Sequence, residues 1–124
     1  MRLLLDTHVV LWWLTDDDAL SAGVKETIDT EAEVFLSAAS VWEISIKQSL
    51  GKLTGAADLP DVLDRCGLIE LPIRSRHAIE AGSLPLLHRD PFDRMLIAQA
   101  RCEGLTLLSR DAQVERYDVS LRVV

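Results

Sequence analysis

Short apolar runs alternate along the chain with longer segments in which apolar residues recur at helical spacing. The apolar runs predict strands at 2–5, 33–37, 68–71, 105–108 and near 119–123, because strands buried on both faces are continuously hydrophobic. Helical spacing predicts helices at 9–14, 21–30, 39–50, 58–66, 75–82 and 91–103, with a short helix from Asp111. Strands that alternate with helices usually pair in parallel. The expected fold class is therefore α/β, a three-layer α/β/α sandwich with a mainly parallel sheet of four to five strands.

The length and composition are those of one globular domain, so residues 1–124 are expected to form a single domain. No apolar stretch is long enough to predict a membrane helix, and the N-terminal run turns acidic too soon for a signal peptide. The two cysteines, Cys66 and Cys102, lack the spacing of metal ligands and fall in helical patterns. We expect both to be reduced core residues, and the protein to be cytoplasmic.

The formal net charge of −7 argues against a broad basic surface for nucleic acid. It does not exclude a nuclease, because a dense acidic pocket adds to the negative count and bound cations offset part of it. The charge predicts either weak nucleic-acid binding without electrostatic steering or a basic partner protein over an acidic cleft.

Four acidic residues stand where predicted elements end or begin. Asp6 closes the first apolar run, Asp111 follows the run at 105–108, and Glu43 and Asp93 lie early in predicted helices. The carboxyl ends of parallel strands form the crevice where α/β proteins bind ligands, so these side chains are expected to meet there. Several carboxylates in one pocket repel one another unless a hard cation neutralises them. The pattern predicts a magnesium site and phosphate chemistry.

Helical spacing supports the convergence of these acids, because Asp93 shares a face with Ile97 and Ala100, and Glu43 shares one with Ile46. Four carboxylates suffice for one magnesium ion, or for two ions about 4 Å apart. Zinc or iron would call for clusters of histidine or cysteine, whereas the three histidines are widely spaced. The histidines are His8, His77 and His88.

Each acid, taken alone, also has a structural explanation. Asp6 and Asp111 can cap the helices that follow them. Glu43 completes a capping-box pattern that starts at Ser40, and Asp93 lies on the first turn of a helix that starts at Asp90-Pro91. The set of four, rather than any single member, therefore indicates a site. Two further acids, Asp90 and Asp118, are interpreted as a helix cap and a surface charge.

Four strings occur in an order that closely resembles the PIN domain, in particular the VapC-like toxins of bacterial type II toxin–antitoxin pairs. The resemblance spans essentially the whole chain. The strings are Leu4-Leu5-Asp6-Thr7-His8, Ser40-Val41-Trp42-Glu43-Ile44, Asp90-Pro91-Phe92-Asp93-Arg94-Met95-Leu96-Ile97-Ala98 and Leu107-Leu108-Ser109-Arg110-Asp111.

The resemblance implies an endoribonuclease that depends on Mg²⁺, with Mn²⁺ as the alternative ion. The positions that match its acidic metal cluster are Asp6, Glu43, Asp93 and Asp111, of which Asp6 and Asp93 are the strongest candidates for ligands. Thr7 matches a small hydroxyl that orients the first acid. Ser109 keeps a hydroxyl where the family commonly has threonine, so it too is a candidate supporting residue.

The expected reaction is hydrolysis of an RNA phosphodiester by water, which leaves a 5′-phosphate and a 3′-OH. Helix N-termini at Ser40 and Asp90 are expected to favour ionised Glu43 and Asp93. Structured RNA with an exposed single-stranded loop is the expected substrate. Basic residues could hold phosphates at the rim, although each could equally be a surface charge, and Lys47 could pair with Glu43. These residues are Lys47, Lys52, Arg89, Arg94 and Arg110.

The same resemblance also implies protein partners. It implies a homodimer, and a small antitoxin whose basic side chain reaches the acidic cleft. The tryptophans are relevant to both partners, because tryptophan is enriched at interface hot spots. Trp12 and Trp13 are adjacent and cannot share one helix face, so at least one is expected to be exposed or covered by a partner. Trp42 is the third.

Other functions fit less well or remain open. A phosphotransferase of the haloacid dehalogenase type needs a second aspartate two positions after Asp6, where this chain has His8. A response-regulator receiver needs an acceptor aspartate after the third strand, where Pro72 and Ile73 follow. The alternatives left open are a catalytically silent antitoxin-binding module and a metal-dependent nuclease directed at DNA.

Overall fold

The computed structural model describes residues 1–51, 59–87 and 90–124 and contains a five-stranded parallel sheet in the order β3-β2-β1-β4-β5. The sheet confirms the predicted α/β sandwich, with every strand within two residues of its predicted bounds. The central strand β1 is flanked on one side by the strand that follows it and on the other by a strand from late in the chain. The strands are β1 (Arg2–Leu5), β2 (Glu33–Ser37), β3 (Ile69–Leu71), β4 (Thr106–Ser109) and β5 (Leu121–Val123).

The helices also match the prediction, with shifts of up to two residues at their ends. The segment after Asp111 is a short 3₁₀ helix, and its N-cap is Asp111 itself. The helices are α1 (Thr7–Leu14), α2 (Ala22–Thr30), α3 (Ala38–Ser49), α4 (Leu59–Cys66), α5 (Ser75–Ser83), α6 (Pro91–Glu103) and the 3₁₀ helix Ala112–Arg116.

Alternating side chains of β1 supply both faces of the sheet. Leu3 and Leu5 are fully buried in a cluster with residues of α1, α2 and α3, whereas Leu4 is fully buried in a second cluster with α6 and the 3₁₀ helix. Successive strand residues point to opposite faces, so one strand takes part in both cores. This arrangement explains why a continuous apolar run predicted a strand buried on both faces.

The helix α6 has well-defined ends. Asp90 Oδ1 accepts a hydrogen bond from Phe92 N at 2.9 Å, and Pro91 occupies the first helical position. Gly104 ends the helix in the left-handed conformation, with φ of 67°. These two ends fix which residues of α6 lie nearest the carboxyl edge of the sheet.

The cysteines differ from the prediction that both are core residues. Cys66 is exposed and Cys102 is half-buried, and both are free thiols. Burial raises the pKa of the Cys102 thiol, and the nearby carboxylate of Glu80 raises it further. Within residues 1–51, 59–87 and 90–124, no helix has the length and apolar character needed to cross a bilayer.

Two Gly→Ala substitutions are expected to have opposite effects on stability. Gly104→Ala should destabilise the protein by about 1 kcal/mol, because an L-residue resists the left-handed backbone. Apart from its chain neighbours, no atom of the described residues would lie within 4 Å of the added methyl group, so the cost is conformational. The control, Gly82→Ala, makes the same change at an exposed position inside α5 and should be neutral or stabilising by up to about 1 kcal/mol. Urea denaturation of both variants measures the difference, and equal shifts would contradict this account.

Candidate active site

The strand order creates a crevice at the carboxyl ends of β1 and β4. From β1, the strands β2 and β3 are added toward one edge of the sheet, and β4 and β5 are added toward the other edge. The strand order therefore reverses between β1 and β4, and the helices that follow these two strands diverge. Asp6 follows β1 directly, and Asp111 lies two residues after the end of β4. A cleft of about 430 Å³ opens there, which we call the acidic cleft. The described residues that line it are Asp6, His8, Trp12, Asp90, Asp93, Arg110 and Asp111.

Asp6 is the N-cap of α1, as predicted, and it also lines the cleft. Its side chain is buried, and its Oδ1 atom accepts a hydrogen bond from His8 N at 3.2 Å at the start of α1. Its Oδ2 atom accepts one from Ser109 Oγ at 2.6 Å. Ser109 Oγ in turn accepts a hydrogen bond from Asp111 N at 3.0 Å. One buried hydroxyl therefore links the Asp6 carboxylate to the backbone of Asp111, and Ser109 stays a candidate supporting residue.

Asp93 and Asp90 enter the cleft together from the start of α6. Asp90 is the N-cap, and Asp93 lies in the first turn, where the helix dipole favours negative charge. Sequence analysis interpreted Asp90 only as a cap, but the residue also lines the cleft. Its spacing of three residues from Asp93, which places both on one helix face, is the signal that could have found it. Trp12 was also missed as a lining residue, and His8, whose place next to Asp6 in the sequence allowed a contact with the site, lines the cleft too.

Glu43 is placed differently from the other three predicted acids. It is not among the described residues that line the cleft. Its Oε1 atom accepts a hydrogen bond from Thr7 Oγ1 at 2.7 Å, and the Thr7 and Ser40 hydroxyl oxygens are 3.0 Å apart. Thr7 therefore orients Glu43 rather than Asp6, which corrects the expectation for that hydroxyl. Glu43 is connected to the cleft through Thr7, which follows Asp6 in the chain.

The capping-box explanation of Glu43 is wrong. Helix α3 begins at Ala38, and its N-cap is Ser37, whose Oγ atom accepts a hydrogen bond from Ala39 N at 3.0 Å. Ser40 is consequently inside the helix, and Glu43 lies beyond the first turn. The helix N-terminus was expected to favour charge at Glu43, but the dipole effect is concentrated in the first turn. Lys47 Nζ, 3.8 Å from Glu43 Oε2, is the nearby positive charge.

Two of the predicted RNA contacts have other partners in the structure. The Arg94 guanidinium donates hydrogen bonds to three backbone carbonyls at the end of α5, those of Ala81, Leu84 and Pro85. We therefore assign Arg94 a structural role in place of the predicted contact. Lys47 forms the i,i+4 pair with Glu43 that was its alternative interpretation.

Arg110, by contrast, does lie at the cleft. Its guanidinium carbon is 4.7 Å from the centre of the Trp12 ring, and the side chain donates hydrogen bonds to the carbonyls of Val124 and Ala19. These contacts fix its position at the rim of the cleft. Lys52, Arg89 and His88 lie outside the described residues.

The side chains of the cleft offer oxygen donors of the kind that a hard metal ion requires. Across the described parts of the chain, no three His, Cys, Asp or Glu side chains stand close enough together to hold an ion by themselves. Magnesium, however, usually takes only one or two protein carboxylates and keeps several waters. The aspartates offer hard oxygen donors, and the cleft has room for a hydrated ion. The residues present therefore fit Mg²⁺ or Mn²⁺ better than zinc.

Comparisons with known proteins agree with this architecture. The sequence model of the family described as "PIN domain" matches residues 3–120. The chain is 25% identical over 122 residues to Ribonuclease VapC22 of Mycobacterium tuberculosis, and the match covers 93% of this chain and 91% of that protein.

Solved structures share the fold at low sequence identity. VapBC2 from Rickettsia felis, bound to a DNA fragment from its promoter, matches with a TM-score of 0.74 at 16% identity, over 100% of this chain and 99% of that one. DNA-bound VapBC from Salmonella typhimurium matches with a TM-score of 0.70 at 16% identity, over 100% and 97% of the two chains. At these identities the likeness supports the fold.

The hydrogen bond between Ser109 and Asp6 predicts a measurable loss of stability. Ser109→Ala should cost about 1.5–3 kcal/mol, because it removes a bond to a buried charged group. Ser83→Ala deletes an exposed hydroxyl, bonded to the Glu80 carbonyl, and should cost less than about 0.5 kcal/mol. Chemical denaturation of the two variants beside the parent tests the difference. A loss at Ser109 no larger than that at Ser83 would show that the buried bond contributes little.

Proposed function

The chain belongs to the PIN domain family, and from this membership we propose that it is a Mg²⁺-dependent endoribonuclease, the toxin of a type II toxin–antitoxin pair. The observation that carries the proposal is the meeting of Asp6, Asp93 and Asp111 in one cleft at the carboxyl edge of the sheet. Asp6 comes from the beginning of the sequence, and Asp93 and Asp111 come from its last third. Capping alone would explain each residue but would not require them to face the same space.

We propose Asp6 and Asp93 as the principal metal ligands, with Asp111 and Glu43 as the other members of the acidic set. The ion would be Mg²⁺, with Mn²⁺ as the alternative. When bound, a divalent cation supplies the Lewis acidity that activates water and stabilises charge on the phosphodiester. Ser109 and the start of α1 hold the Asp6 carboxylate in one orientation, so little reorganisation is needed on binding.

The side chains of the cleft favour direct hydrolysis by water. Among its described lining residues there is no serine, threonine or cysteine that could serve as a covalent nucleophile. With the aspartates assigned to the metal ion, water or the ribose 2′-OH is the expected attacking group. Attack by water would leave a 5′-phosphate and a 3′-OH on the products.

The proposed protein partner is a cognate antitoxin. The structural neighbours include VapBC assemblies and a toxin–antitoxin complex from Klebsiella pneumoniae, and VapC22 carries the name ribonuclease. A net charge of −7 and a cleft lined by four aspartates favour a partner that brings a basic side chain to the cleft. We also propose a homodimer, on the strength of the family resemblance alone.

Substitution of the two principal ligands tests the site. Asp6→Asn and Asp93→Asn should each lower RNA cleavage by at least about 100-fold, because a neutral amide is a poor ligand for a hard cation. Asparagine is as good an N-cap as aspartate, so α1 should still form in the Asp6 variant. Antitoxin-free protein is incubated with total RNA, with magnesium and with chelator, while circular dichroism monitors the fold. Asp118→Asn, an exposed acid away from the cleft, is the matched control. Parent-like cleavage by both cleft variants would refute the site.

A pair of substrates separates the remaining functions. Ribo- and deoxyribo-oligomers of one sequence are incubated with the parent protein and magnesium, and the product ends are mapped. We expect cleavage of the RNA with 5′-phosphate ends and little cleavage of the DNA. Preferential DNA cleavage would identify a DNA-directed nuclease. Absence of cleavage with Mg²⁺ and with Mn²⁺ would identify a silent antitoxin-binding module.

A further inference from the structure

Trp42 is the most exposed of the three tryptophans. It is 62% exposed, whereas Trp12 and Trp13 are partly buried against the core. A single exposed apolar residue needs no functional explanation, because much of any protein surface is apolar. What distinguishes Trp42 is its position and its neighbours.

Trp42 stands beside the acidic set. It directly precedes Glu43 in α3, and its ring lies edge-on to the ring of Phe92, with 5.3 Å between centroids and 63° between planes. Phe92 lies between Asp90 and Asp93, two residues that line the acidic cleft. We call Trp42 and Phe92 the aromatic pair. It joins α3 to α6 where both helices present their acidic residues.

The aromatic pair is held in place from both sides. Phe92 N donates to the cap residue Asp90 at 2.9 Å, which fixes the first turn of α6. On the other side, Glu43 accepts the hydrogen bond from Thr7 at 2.7 Å, which fixes the α3 turn that carries Trp42. The edge-to-face contact with Phe92 further restricts the indole ring, whose residue remains 62% exposed beside the acidic set.

Few positive charges line the acidic cleft among the residues that the structure describes. Of the described residues that line it, only Arg110 carries a permanent positive charge, against four aspartates. Lys47 is paired with Glu43, and Arg94 is hydrogen-bonded to backbone carbonyls. Neutralisation of phosphates by Lys and Arg normally dominates affinity for nucleic acids. Stacking on a base would add binding energy to that of the few cations among these described residues.

We propose that Trp42, braced by Phe92, stacks on an unpaired nucleobase adjacent to the scissile phosphate. This inference rests on the proposed ribonuclease function and adds to it a substrate-binding residue and a substrate class. Every base has a π-face, so stacking on an aromatic ring tolerates many sequences but requires the base to be unpaired. The aromatic pair would then select single-stranded segments, and the aspartates would act on the neighbouring phosphate.

The first test is a kinetic comparison of variants on a single-stranded oligoribonucleotide that the parent cleaves. Trp42→Ala should raise KM by about 5- to 100-fold, the range for loss of one stacked base, with kcat changed less than about twofold. Trp42→Phe keeps an aromatic face and should restore most of the affinity. Ile79→Ala truncates a residue that is 73% exposed on α5 and should leave KM unchanged.

The second test removes the base instead of the ring. Abasic nucleotides are placed one at a time around the cleavage site, and KM is measured with the parent and with Trp42→Ala. One abasic position should raise the KM of the parent to near that of Trp42→Ala, and the same position should have little effect on the variant. This non-additivity identifies a direct contact between the ring and that base.

The outcomes separate this inference from the function on which it rests. If the parent cleaves RNA but Trp42→Ala keeps the parent's KM and abasic profile, the stacking role is wrong and the ribonuclease stands. If Trp42→Ala turns a dimer into a monomer by light scattering and the abasic profile is unchanged, Trp42 is a subunit contact and the inference is overturned. If the parent cleaves no RNA with Mg²⁺ or Mn²⁺, the proposed function fails, and this inference fails with it.

Discussion

The pairing of β1 with β4 joins residues about a hundred positions apart in the sequence and places the carboxyl ends of both strands side by side. Leu5 pairs with Leu108, and Asp6 N donates a hydrogen bond to Leu108 O at 3.0 Å. This bond continues the parallel ladder one residue past β1, to the residue that lines the cleft. The positions of Asp6 and Asp111 are consequences of that ladder, and the Ser109 hydroxyl can reach Asp6 because of it.

The acids at the cleft are also helix caps, and the two roles support each other. Asp6, Asp90 and Asp111 each accept a backbone N–H two residues ahead. A cap uses one carboxylate oxygen and sets the direction of the side chain, which leaves the second oxygen for another partner. Helix starts also tolerate concentrated negative charge better than other places in a protein. Several carboxylates can therefore line one cleft.

The fold was predictable because its signals are local. Apolar runs and helical spacing identify strands and helices without knowledge of their neighbours, and their alternation leaves few topologies. Asp6, Asp93 and Asp111 were also predictable, because parallel strands bring their carboxyl ends to one edge. Asp90 was missed as a lining residue because its role as a cap already accounted for it.

The errors arose where the answer depended on tertiary contacts or on a choice between equivalent residues. Ser37 and Ser40 are both good caps, and spacing alone did not identify the residue at which α3 starts. Placing the cap at Ser40, three residues beyond the actual cap Ser37, misassigned the partner of Glu43. Arg94 resembled a surface charge because the carbonyls that it binds belong to the end of α5 and the loop after it. Those contacts exist only once α5 has packed on α6.

The division of β1 between two cores has a consequence for how this protein can change. Leu3 and Leu5 serve one layer and Leu4 serves the other, and the very next residue is the aspartate of the cleft. One apolar side chain can replace another there at modest cost. An insertion or deletion of a single residue would reverse the two layers and turn the carboxylate away from its neighbours. The first strand can therefore vary in its apolar residues, but its length is fixed.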